Sequence, residues 1–137
     1  PEGMFHEGAG DALFCGDPLF AGYRTRSDAR AHQWVAAQMG VRVLPLELVN
    51  PRFYHLDTCF CPLAPGVALY FPDAFDTYGK RVIETHVDTL IPVIESEAHR
   101  FGCNAVVVGR TVVHNSGCPQ MAQDLAKHGY QSIEVTL

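Results

Sequence analysis

The feature that most constrains this chain is a strand–strand–helix–strand pattern that recurs three times. In the first pass, residues 11–15 and 19–23 are short apolar stretches parted by Gly16-Asp17-Pro18, turn chemistry that predicts a hairpin. Ser27 then stands as the cap of a helix over about 28–39. Its inward stripe is predicted at Ala31, Trp34, Val35 and Met39, with Gly40 as the stop. Residues 41–49 return as a strand. The second pass pairs a strand at 54–61 with one at 67–71 across residues 62–66, followed by a helix near 79–88 and a strand at 90–94. Residues 96–101 read as a single helical turn. The third has strands at 105–109 and 111–114, a helix from Pro119 to His128 stopped by Gly129, and a closing strand at 132–137.

Such units bury one sheet face only by packing on their neighbours, which predicts an α/β repeat architecture of ββαβ units rather than a Rossmann sheet. The expected organisation is a single partial domain over 1–137, with units at about 7–49, 53–94 and 104–137. Open sheet edges at either end favour edge-to-edge pairing of two copies as a homodimer.

Composition narrows the function classes. Hydrophobic residues at 47% and charged residues at 18% are those of a globular chain. A formal charge of -5 without a basic stripe argues against nucleic acid, and the apolar runs are of strand length, too short to span a membrane. The five cysteines follow no framework spacing, so free thiols in a reducing, cytoplasmic compartment are expected. The chain opens at Pro1, which suggests a trimmed or excised piece.

Three segments carry possible chemistry. Glu7-Gly8-Ala9-Gly10-Asp11 sets two carboxylates beside glycines at the mouth of a strand. Arg24 and Arg26 follow the first hairpin, where guanidinium groups suit a carboxylate-bearing ligand. In an extended strand His55, Asp57, Cys59 and Cys61 share one face, placing a proton-transfer group beside a carboxylate. Each segment alone is also compatible with an ordinary turn, a surface arginine or a half-exposed strand. His6, His55, Cys59 and Cys61 have zinc-ligand chemistry but match no standard zinc spacing, and no metal or cofactor is expected.

Taken in order, these segments resemble the guanidino-group-modifying enzymes: the arginine deiminases, dimethylarginine dimethylaminohydrolases and amidinotransferases. The later Cys103-Asn104-Ala105-Val106-Val107-Val108-Gly109 and Gly117-Cys118-Pro119 stretches look like them too. The resemblance implies part of a five-bladed, pentein-like α/β propeller. It implies Glu7 and His55 as the acid and the acid–base histidine, Asp57 and Asp11 on the substrate, and Arg24 on a substrate carboxylate. The implied partner is a small guanidino molecule such as arginine or a methylarginine, attacked by a cysteine thiolate, by a hydrolase or a transferase. That nucleophile is expected beyond the strand ending at Leu137, so the chain reads as catalytically incomplete. The alternative is a stand-alone half-propeller that binds a guanidino ligand or a partner chain. Among the cysteines present, Cys59 and Cys61 come nearest to His55 in sequence but point alongside it. Cys15 and Cys103 read as core, and Cys118 as a helix-cap thiol.

Overall fold

The computed structural model describes residues 2–136. Three sheets of three strands follow one another, each with an antiparallel first pair and a parallel third strand brought back by a helix. The first holds β1 (Ala12–Phe14), β2 (Leu19–Tyr23), α1 (Ala29–Met39) and β3 (Val43–Glu47). The second holds β4 (Phe60–Ala64), β5 (Val67–Tyr70), α2 (Thr77–His86) and β6 (Thr89–Pro92). A short helix, α3 (Glu95–Ala98), leads to β7 (Val106–Val108), β8 (Thr111–Asn115), α4 (Pro119–Lys127) and β9 (Gln131–Val135). This is the repeated ββαβ architecture that the periodicity predicts. Leu137, the last residue of the expected closing strand, lies outside the described residues.

The first helix departs from expectation at two places. Its cap is Asp28, which accepts from the Arg30 N–H, because the Ser27 hydroxyl is engaged elsewhere. Its buried face is Ala31, His32 and Val35, while Trp34 and Met39 are 49% and 54% exposed. Successive helical residues are about 100° apart, so Trp34 falls off the stripe centred on Val35.

The second correction bears on the site. Residues 54–59 do not continue as a strand: Leu56–Thr58 form a 3-10 turn, and β4 starts at Phe60. The Thr58 hydroxyl and N–H both donate to the His55 carbonyl, at 2.6 and 3.2 Å, a local bond that competes with the sheet ladder. His55, Asp57, Cys59 and Cys61 therefore do not share a strand face. β4 instead runs through Pro62, tolerated on an edge strand, so the turn shrinks to Pro65-Gly66 with Gly66 at φ 73°.

Packing couples neighbouring units. Phe20 of β2 meets Phe60 of β4 with ring centroids 5.1 Å apart, and both are fully buried. α2 lies on β3 of the first unit, and α4 on β6 of the second as well as on its own β9. Glu97, buried in α3, accepts the N–H groups of Gln120 and Met121 at 2.8 Å each. These are orphan donors of the first turn of α4. Glu97→Gln turns one acceptor into a donor facing an N–H, and is expected to cost about 2 kcal/mol by urea denaturation. An unchanged midpoint would remove this link between the second and third units.

Candidate active site

Two tight turns from different units form the site. Gly8–Gly10 turns just after Glu7, and Leu56–Thr58 just after His55. They approach closely enough that a Cβ on Gly10 would sit 3.3 Å from the His55 ring. Glycine here lets the first turn lie flat against the imidazole. The Glu7 carboxylate then meets His55 Nε2 at 2.5 Å, with the imidazole side chain 21% exposed. A histidine with one nitrogen on a carboxylate is held in orientation and can still move a proton.

Asp57, two residues on, is half-buried, and burial pushes its carboxyl above the ordinary value, with His55 pulling the other way. It borders a cavity of about 280 Å³ lined by Tyr54, His55, Thr58, Phe101, Asn104 and Asn115. It also borders a second, of about 470 Å³, between the first strands of the three units, lined by Leu13, Phe60, Cys61, Cys103 and Val107 among others. A carboxylate raised by burial is one that a cation entering either cavity would stabilise in its charged form.

Glu7, His55 and Asp57 are thus brought together. Arg24 is not: its backbone is left-handed at φ 103° and its guanidinium donates to Glu47 at 3.0 Å. The arginine beside the pair is Arg26, which lies 3.6 Å from Glu7 and 5.5 Å over the Tyr54 ring. Tyr54 in turn stands 5.0 Å from the His55 ring. Asp11 also departs from a substrate contact, because it is fully buried and its oxygens accept from Ser27 Oγ and the Leu56 N–H.

None of the cysteines reaches the pair as a nucleophile. All five are free and buried, and burial raises every thiol, Cys61 to about 12. Cys118 sits at the start of α4, where the helix end favours thiolate, yet burial outweighs it. Iodoacetamide at neutral pH is expected to leave all five unmodified in the native chain and to label all five after unfolding, as read by mass spectrometry. Labelling of Cys118 in the native chain would contradict that burial. Among the described residues, no three His, Cys, Asp or Glu side chains gather as a metal-binding set. His6 faces His32 instead, with ring centroids 6.3 Å apart.

Comparison with known proteins places the fold. No family model matches the chain. It is 44% identical over 141 residues to the bifunctional arginine dihydrolase/ornithine cyclodeaminase AgrE of Nostoc sp., covering 100% of this chain and 20% of that protein. It is 39% identical over 132 residues to an N(G),N(G)-dimethylarginine dimethylaminohydrolase of Mycobacterium tuberculosis, covering 96% of this chain and 44% of that one. The solved N-terminal domain of ArgZ superposes with a TM-score of 0.96 at 43% identity, over 100% of this chain and 52% of that structure. Fold and likeness together define the class, an α/β repeat protein of the pentein type. The chain's homologues are of the guanidino-group-modifying superfamily. It spans a fifth to under a half of the length of the curated relatives it matches.

Proposed function

We propose that the chain is the part of a larger hydrolase that carries the acid–base and cation-binding groups for attack on the guanidinium of arginine or a close analogue. The observation that carries this reading is the Glu7–His55 pair beside half-buried Asp57, in a chain that matches arginine dihydrolases end to end. A guanidinium bound against Asp57 offsets the cost of burying that carboxylate. A thiolate from another segment attacks the guanidinium carbon, since the five thiols here are buried and protonated. His55 then protonates the leaving amine and afterwards takes a proton from the water that hydrolyses the intermediate. Support for covalent chemistry comes from ArgZ, whose N-terminal domain has been solved covalently bound to a reaction intermediate and, as a cysteine-to-serine variant, bound to substrate.

The exposed apolar faces support the larger enzyme. In this fold a helix packs on the last strand of the preceding unit, as α2 does on β3 and α4 on β6. Among the described residues, no such helix covers Ile133 and Val135 on β9, and Val106 and Val108 on β7 are 64% and 68% exposed. Trp34 and Met39 on α1 likewise face no strand of a preceding unit. A further unit on either side would cover these rows. The same complementarity would let two copies stack head to tail, the form that self-association would take.

The arginine pair gives the experiment. Arg26 is assigned to the substrate carboxylate and Arg24 to the Glu47 ion pair. In the larger enzyme, Arg26→Ala is expected to raise KM for arginine about 10- to 100-fold, the worth of a charge-assisted hydrogen bond. The effect on agmatine, which lacks the carboxylate, should be far smaller, and Arg24→Ala should stay within about threefold for both, as an exposed ion pair does. Selective loss of arginine in Arg24→Ala instead would restore the assignment made from sequence.

A further inference from the structure

Asp11 and Ser27 touch neither reacting group, yet they form a buried hydrogen-bonded pair beside them. Asp11 is fully buried and Ser27 nearly so. Asp11 Oδ2 accepts the Ser27 hydroxyl at 2.7 Å, and Oδ1 accepts the Leu56 N–H at 2.9 Å. The Ser27 oxygen in turn accepts the Glu7 N–H at 3.0 Å. One end of this relay therefore fixes the backbone of Glu7, and the other fixes the residue directly after His55. The main chain closes the same loop, with the Gly22 N–H donating to the Asp11 carbonyl at 2.8 Å and the Asp11 N–H to the Gly8 carbonyl at 3.0 Å. There is no slack around the carboxylate, since a Cβ on Gly22 would come within 2.9 Å of Oδ1.

Stability alone does not require this arrangement. A buried charge loses hydration, and apolar groups of the same shape often hold a core as well. What the carboxylate adds is direction: it orders segments far apart in sequence, and two of them carry the two members of the acid–base pair. We infer that Asp11 and Ser27 are positioning residues, a buried relay that holds Glu7 against His55. The inference rests on the reading of Glu7 and His55 as the acid–base pair.

The relay is tested in the larger enzyme with Ser27→Ala, Ser27→Thr and Asp11→Asn. A displacement of about 1 Å in a catalytic group is worth up to about 100-fold in rate. Ser27→Ala is therefore expected to lower kcat about 10- to 100-fold with KM within about threefold. Ser27→Thr, which keeps the hydroxyl, is expected to recover most of the loss. In a Glu7→Gln background Ser27→Ala should cost less than about twofold more, because both changes act through one contact. An unchanged kcat in folded Ser27→Ala, a rise in KM alone, or costs that multiply in the double variant would overturn the relay. Should Ser27→Ala fail to fold, near-isosteric Asp11→Asn carries the same measurements. A crystal structure reads the relation without turnover. Separation of Glu7 from His55 beyond hydrogen-bond reach in Ser27→Ala supports the relay, and an intact pair overturns it. Parent enzyme inert toward every guanidino compound would sink the functional reading instead, leaving the crystal structure to judge the positioning.

Discussion

Replacing His55 by alanine in the larger enzyme is expected to lower kcat/KM for arginine about 100- to 10,000-fold, the usual worth of a positioned acid–base group. The imidazole is partly exposed at the mouth of a cavity, so its removal empties a surface rather than a core, and the fold should persist. The loss should fall mainly on kcat, because His55 acts on the leaving amine and on water rather than on the part of the substrate that anchors it. Steady-state rates of ammonia release with arginine, taken beside a thermal melt of each variant, make the measurement. A folded His55→Ala enzyme with near-parental kcat would remove the histidine from the chemistry.

The second large effect is on stability. Phe60 opens β4 directly after the turn that carries His55 and Asp57, is fully buried, and packs against Phe20 of the first unit. Phe60→Ala removes that ring and leaves a cavity between two units, which costs about 3–5 kcal/mol. Domains of this size are held by roughly 5–15 kcal/mol in all, so the urea midpoint should fall steeply. Activity should fall with it, since the base of the His55 turn loses its support. A shift under about 1 kcal/mol would mean that the two units are not joined through this contact.

Much of the fold is legible in the residues because its elements are short and sharply punctuated. Gly16-Asp17-Pro18, Gly40, Pro119 and Gly129 each mark a boundary that the structure uses. The errors arise where a side chain serves a distant partner. Ser27 and Asp28 are both good helix caps by type, and only the three-dimensional fold shows that Ser27 is engaged by Asp11 and Glu7, leaving the cap to Asp28. The stripe through Trp34 fits a helix packed on one sheet, but α1 shows that flank to solvent.

The site was legible in part for a related reason. Glu7, His55 and Asp57 stand out by residue type and order; Glu7 meets His55, and Asp57 borders the same cavity as His55, by a 3-10 turn rather than by strand alternation. Arg24 and Arg26 flank one threonine and are equivalent in a string of letters. The left-handed backbone at Arg24 turns one guanidinium to Glu47 and leaves the other over Tyr54. Asn104 and Tyr54 are not legible as lining residues because neither has distinctive chemistry outside the cavity they share.

Mass spectrometry of the larger enzyme, quenched in acid while it turns over arginine, tests the account most directly. A guanidino-carbon adduct is expected on a cysteine outside this chain, with Cys15, Cys59, Cys61, Cys103 and Cys118 unmodified. An adduct on any of those five, or turnover that proceeds undiminished in His55→Ala, would contradict it.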